Sequence, residues 1–278
     1  MAAESDAPER GADTEKLWNE TGVDPVELHL GKDSGYTLRA YRMSDTLPGT
    51  KDDEPSEESE ESDEELAEEE MVAEGAPVDG DDDGEDKDGD EDEESEEPDP
   101  KDFEDDEPEE DALDAEPEEV PVFLTRKGKL LVFREPAALV AYVKESDDHD
   151  LAAIDEWTDL KDRVTEDDIV CDEADTYELD LVVANLRGGH DTWEPELLIK
   201  AAEVGRDLGY ALKNDSVIAA LAPGSPLDDL DETFRVVVDG GFKGKLAKRR
   251  LKRNDAQQAA IAWRGVIAKI NDHVEWRG

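Results

Sequence analysis

Aspartates at the spacing of calcium ligands are the first residues in this sequence that could do chemistry. The segment DGDDDGEDKDGD, residues 79–90, has aspartate at loop positions one, three and five and glycine at position six, as helix–loop–helix calcium sites do. Position twelve is Asp90, where such loops have a bidentate glutamate, and no amphipathic helix flanks the segment. A tract so rich in Asp and Gly matches this pattern by chance, so we predict weak, diffuse binding of divalent cations and no metal site.

The other motifs that could carry chemistry are also incomplete. GGFKGK, residues 240–245, is one residue too short for a Walker A phosphate loop and has no hydroxyl residue after its last lysine. DDHD, residues 147–150, has no second histidine at ligand spacing. Cys171 lies between acidic residues, which raise the pKa of a thiol and disfavour a nucleophilic thiolate. We therefore predict that the protein is not an enzyme and has no cofactor.

A basic segment near the C-terminus is the remaining candidate for binding. Residues 243–253 contain no acid and seven bases, which we predict to bind a partner: Lys243, Lys245, Lys248, Arg249, Arg250, Lys252 and Arg253. On a helix these side chains would cover more than half of the circumference. Three interpretations fit: a solvated start of a helix, a surface for nucleic-acid phosphates, or a segment that binds an acidic region of the same chain. We favour the first and third together, because an acidic region would compete with DNA for the same bases.

That acidic region is residues 51–119, with 41 Asp or Glu and three Lys, and it accounts for most of the formal net charge of −52. It has almost no aromatic or β-branched residues, so it has no apolar area to offset the entropy of ordering. We predict a disordered acidic insert at residues 48–119. A linker of about 70 residues spans roughly 45 to 50 Å, which is long enough to reach the basic segment of its own molecule.

The elements on either side of the insert predict an α+β fold. Residues 1–23 resemble a flexible tail, and alternating apolar residues at 24–47 predict a first β-hairpin. Residues 120–170 predict a second hairpin and a helix, which complete a small antiparallel sheet with one packed helix. Helical periodicity in residues 171–278 predicts an α-helical C-terminal domain.

The last helix has the clearest pattern. Asp255 is a suitable N-cap, with Gln258 at the third position of a capping box. One apolar stripe follows, which we predict as a candidate binding face: Ile261, Trp263, Val266, Ile267, Ile270 and Val274.

The sequence also bears on the cellular location. A single cysteine excludes an intramolecular disulfide and suits a reducing cytosol. The N-terminal MAAESDAPER has acids where a signal peptide has bases, and no stretch approaches the roughly 18 apolar residues of a membrane-spanning helix. We predict a soluble cytoplasmic protein without membrane insertion.

Several segments together resemble a known family. They are VELHLGKDSGYTLRAYR, FLTRKGKLLVFREPAALVAYVKESDDHDLAAIDEW, TYELDLV and the C-terminal FKGK and AWRGVIAKINDHV. This order is similar to that of actinobacterial proteins labelled primosomal protein, a family that includes SatS-like export chaperones. Within it, Asp150, Leu151 and Trp157 fit a DNDL-to-W motif, and the long acidic insert departs from the compact family pattern.

The resemblance implies a non-enzymatic cytosolic factor that binds other proteins. Its clients would be exported or aggregation-prone proteins, which it would keep soluble and hand to an accessory secretion motor. The acidic insert would then solubilise the complex and shield the binding surface. The alternative, suggested by the family label, is a replication accessory that contacts DNA through residues 243–253.

Overall fold

The computed structural model describes residues 10–46 and 117–278. The predicted α+β class is confirmed: a small sheet is combined with helices, and the C-terminal part is mostly helical. The sheet strands are β1 (Val23–Leu30), β2 (Asp33–Met43), β3 (Glu119–Phe123), β4 (Thr125–Arg126), β5 (Lys129–Phe133), β6 (Thr176–Glu178) and β7 (Val274–Arg277). The α-helices are α1 (Ala12–Thr21), α2 (Pro136–Glu145), α3 (Trp157–Arg163), α4 (Leu179–Arg187), α5 (Pro195–Ala211), α6 (Asp215–Leu221), α7 (Pro226–Asp239), α8 (Gly241–Leu251) and α9 (Ala256–Asn271).

The strands form one mixed sheet. Five strands follow the order β4–β5–β2–β1–β6, in which neighbours are antiparallel except that β6 pairs in parallel with β1. In addition, β3 pairs antiparallel with β2, and β7 pairs in parallel with β5. Gly35 lies where β2 crosses β5, and a Cβ there would be 2.5 Å from the carbonyl oxygen of Phe133. A glycine is therefore required at this close approach of two backbones.

Helices cover both faces of the sheet, whereas the sequence predicted one packed helix. On β5, Leu130 and Val132 belong to a core shared with α4–α7 and α9, while Leu131 and Phe133 belong to a core shared with α1–α3. Successive side chains of a strand point to opposite faces, so this uninterrupted apolar run places residues in both cores. A strand that is buried on both faces lacks the alternation of apolar and polar residues that marks a strand with one solvent-exposed face. The sequence of β5 therefore did not show which of its residues belong to which core.

Two predicted segment boundaries need correction. The expected flexible tail at residues 1–23 is wrong for α1, which is held by the buried side chain of Trp18, whose indole N–H donates to the carbonyl oxygen of Asp168 at 3.0 Å. The predicted helical domain at 171–278 is not separate, because β6 and β7 from this range join the sheet and the described residues belong to one compact unit. Residues 1–9 of the tail and 48–116 of the predicted insert lie outside the described residues.

None of the helices in the described ranges combines the length and apolar composition needed to cross a membrane.

Candidate protein-binding surface

Helix α8 presents the basic segment at the surface. Gly240 and Gly241 both have positive φ, 75° and 66°, which allows the chain to reverse sharply between α7 and α8. Gly244 then lies against the end of α7, where an added Cβ would be 3.1 Å from the carbonyl oxygen of Val236. The buried side of α8 consists of Gly244, Ala247 and Leu251, so its bases point away from the core.

The structure therefore brings the seven predicted basic residues together on one exposed segment. Five of them lie on α8, and Lys252 and Arg253 follow its last residue. In the part of the chain that the structure describes, Lys252 is the one member with an ion pair, 3.0 Å from Asp191. Hydrogen bonding to Lys252, helped by the nearby charge of Lys248, lowers the pKa of Asp191. The predicted contact of this segment with the acidic insert involves residues outside the described ranges and stays a prediction.

Exposed apolar side chains next to these bases were not predicted from the sequence. Phe242 is 78% exposed and Leu246 is 48% exposed on α8, and Val236 and Val238 are exposed at the end of α7. The signal that could have found the first two is their spacing of four residues among lysines, which places two apolar groups on one side of a basic helix.

Shallow grooves lie on both sides of the end of α7. One, of about 320 Å³ between α7 and α8, is lined by Val236, Leu246 and Ala247, with Lys243, Arg250, Thr233 and two acids, Asp229 and Glu232, at its edges. Another, of about 520 Å³, has Trp193, Leu197, Val237 and Val238 in its wall. One lysine, Lys200, and four glutamates surround it: Glu173, Glu178, Glu194 and Glu196. At the end of α7, Val236 thus lines the mixed-charge groove, and Val237 and Val238 line the acidic one.

The predicted binding face of the last helix is part of the core. Trp263, Val266 and Ile270 on α9 are buried, Ile267 is half-buried, and Val274 lies in β7 beyond the helix. Ile261 is 51% exposed and faces away from the core. These six residues therefore do not form one open face, and the apolar stripe stabilises the fold.

The DDHD motif, residues 147–150, lies in the loop after α2 and contacts side chains of α3. Asp147 accepts a hydrogen bond from the Trp157 indole at 3.0 Å and pairs with Lys161 at 2.6 Å. The His149 ring packs edge-on against Trp157, with centroids 4.4 Å apart, and its Nδ1 accepts from the amide of Ala152. Within residues 10–46 and 117–278, no group of three acidic, histidine or cysteine side chains could hold a metal ion. The motif is structural.

Burial lowers the pKa of His149 below its ordinary value, against smaller opposing effects from the Ser146 carbonyl, Asp147 and Asp150. Protonation therefore favours the unfolded chain, and the stability that neutral His149 contributes is complete above its unfolded pKa of about 6.5 and is lost as the pH falls below that value. We expect the free energy of unfolding to fall more steeply between pH 6.5 and 5 in the wild type than in His149→Asn, which keeps a capping side chain. Urea unfolding at several pH values measures this, and parallel pH profiles would contradict it.

A largely buried cluster of charges joins the sheet to α5. Arg39 donates to the Tyr177 hydroxyl at 2.8 Å and to carboxylate oxygens of Asp175 at 3.0 Å and Asp207 at 3.4 Å. The Tyr41 hydroxyl donates to Asp207 at 2.6 Å. Burial raises the pKa of Asp207 despite these partners. Its geometry is that of an internal network of ion pairs.

Cys171 lies near this cluster and is half-buried. Burial first, and then the charges of Glu27 and Asp175, raise the pKa of its thiol. The thiol is therefore protonated at neutral pH, as the acidic flanks in the sequence indicated.

Two comparisons with known proteins bear on this arrangement. A family model described as the SatS C-terminal domain matches residues 112–271, more than half of the chain. The crystal structure of a SatS C-terminal domain in complex with bromine superposes with a TM-score of 0.56 at 18% sequence identity, over 94% of this chain and 96% of that one. At this identity the likeness establishes the fold. No curated protein matches the sequence.

Proposed function

Because this chain belongs to the family of the SatS C-terminal domain, we propose that it is a non-enzymatic chaperone or adaptor for exported or aggregation-prone proteins. In this proposal it acts in the cytosol and binds clients before they fold. The family membership supports the type of protein, and the surface around α7 supports the binding of apolar segments.

The observation that carries the proposal is the apolar end of α7 between two grooves. Val236 and Val238 are exposed at this end of the helix, one lining each groove. Exposed apolar groups that adjoin grooves mark interaction sites more often than isolated ones do. An unfolded client offers short apolar stretches that could cover these side chains on either side of α7.

The charges around the grooves suit clients of varied sequence. The acidic groove has four glutamates, and the mixed groove has Lys243 and Arg250 facing Asp229 and Glu232. The acidic groove favours neutral or basic client segments and the mixed groove accepts segments of either sign, while the apolar groups supply affinity. The 41 acidic residues of segment 51–119 give the chain a high net charge, which keeps a complex with an apolar client soluble.

Light scattering of a chemically denatured protein, such as citrate synthase diluted from guanidinium, tests the proposal. We expect equimolar wild-type protein to suppress aggregation, and the variant Val236→Ser/Val238→Ser to need about tenfold more protein for the same effect, because two exposed apolar contacts are lost. Ile261→Ser is the matched control, since Ile261 is equally exposed but lies on α9. No suppression by the wild type, or an equal loss in the control, would refute the proposal.

A further inference from the structure

The outer side of α8 combines apolar and basic residues in a regular arrangement. Phe242, Leu246 and Arg249 have the spacing i, i+4, i+7 and form the stripe opposite the buried Gly244 and Ala247. The remaining bases flank this stripe in two rows, Lys243 and Arg250 on one side, and Lys245, Lys248 and Lys252 on the other. The result is a ridge of two apolar residues and one arginine between two lines of positive charge.

The exposure of Phe242 is the observation that the basic charge alone does not explain. A phenylalanine that is 78% exposed on a folded helix leaves most of its ring in water, which is unfavourable in the isolated protein. It lies in the first turn of α8, beside the sharp reversal at Gly240 and Gly241, and so projects from the surface. An apolar partner that covered the projecting ring would remove this area from water.

We propose that α8 is a docking surface for an anionic lipid bilayer, to which the protein binds peripherally. The helix would lie parallel to the membrane, with Phe242 and Leu246 entering the boundary between headgroups and acyl chains and the flanking lysines and arginines binding lipid phosphates. This is the arrangement of interfacial amphipathic helices, in which the long basic side chains reach up to the headgroups. The proposal does not depend on the proposed chaperone function, although Lys243, Leu246 and Arg250 of α8 also line the groove between α7 and α8 in which clients are proposed to bind.

The acidic residues near α8 leave this side positive. Asp239 and Asp255 lie just before and after the basic segment, Asp229 and Glu232 line the groove behind it, and Asp191 is already paired with Lys252. More distant charges are screened beyond about 8 Å at physiological ionic strength. The acidic segment 51–119 is predicted to reach these bases, so an anionic membrane would have to displace it in order to bind them. Each base close to an anionic membrane adds to the affinity, and a single aromatic anchor with a polybasic patch gives reversible binding.

A nucleic acid would use these bases differently. Contacts to duplex phosphates are electrostatic and need no projecting apolar ring. The variant Phe242→Ser therefore distinguishes a bilayer from a nucleic acid as the partner. Removal of the ring weakens insertion into a bilayer and leaves contacts with nucleic-acid phosphates unchanged.

Flotation of the full-length protein with vesicles tests the inference. We expect the wild type to float with phosphatidylcholine vesicles that contain 30% phosphatidylglycerol, to remain unbound with pure phosphatidylcholine, and to be released at 500 mM NaCl. Phe242→Ser should weaken binding about tenfold, through the lost apolar burial. Lys245→Gln/Arg249→Gln should weaken it about 30-fold, through the loss of two bases.

The controls are on α9, where Ile261→Ser removes an apolar group that is 51% exposed and Arg264→Gln/Lys269→Gln removes two exposed bases. Neither should change flotation. The proposal is overturned if the wild type does not bind the anionic vesicles, if the controls weaken binding as much, or if Phe242→Ser binds like the wild type. In the last case, competition by a short DNA duplex would identify a phosphate surface of the kind that the replication hypothesis requires. Suppression of client aggregation, measured on the same variants, should be unaffected throughout.

Discussion

Replacing Trp263 by alanine is expected to lower the free energy of unfolding by about 3 to 5 kcal/mol, the range for deleting a buried aromatic side chain. Trp263 is 2% exposed, and its ring lies 3.8 Å from the position that a Cβ on Gly205 would take, so α9 and α5 pack closely at this point. The cavity left by the indole could not close without moving both helices. Urea unfolding followed by circular dichroism measures the change without relying on the tryptophan signal.

The matched control is Ile261→Ala on the same helix. Because this side chain is half exposed, we expect a change within about 0.5 kcal/mol. These two variants also distinguish whether the apolar stripe on α9 packs in the core or binds clients. A Trp263→Ala variant that kept its stability and lost client binding would show that the stripe is a binding face, as the sequence suggested, and that the packing described here is wrong.

The second large effect is expected at Arg39. Replacement by methionine, which has a similar volume, removes the charge facing Asp175 and Asp207 and the donor to the Tyr177 hydroxyl. We expect a loss of about 3 kcal/mol, the lower end for breaking a buried ion pair, because Asp175 keeps Arg10 at 2.8 Å and Asp207 keeps the Tyr41 hydroxyl. Chemical denaturation at pH 8 and pH 5 measures it.

The pH dependence of this loss has a definite sign. Burial already raises the folded pKa of Asp207, and Arg39 opposes that rise. Without Arg39 the folded pKa moves further up, so protonation favours the folded variant and the loss becomes smaller as the pH falls. The control is Lys16→Met, whose exposed pair with Glu20 is worth at most about 0.5 kcal/mol. An Arg39→Met variant as stable as the wild type at pH 8 would contradict the assigned role of the cluster.

Some elements could be predicted because their signals are local. The N-cap expected at Asp255 is present, with its carboxylate accepting from the amides of Gln257 and Gln258. Helix α1 was missed because its sequence, ADTEKLWNET, is mostly polar, and two buried residues, Leu17 and Trp18, hold it against the rest of the molecule. Such anchoring depends on partners that are distant in the chain.

Some features of the candidate binding surface could also be predicted from the sequence, and others could not. The cluster of bases at 243–253 was visible because charge is a property of composition, whereas the exposure of Phe242 was not, because a phenylalanine in a sequence predicts burial.

The charge distribution, the α+β class and the start of α9 follow from residue type and short spacing, so they could be predicted from the sequence. That the stripe on α9 is covered, while the apolar groups of α7 and α8 stay exposed, is visible in the folded molecule alone. Periodicity shows which side chains share a face of a helix, but whether that face meets other helices or solvent depends on how distant segments pack.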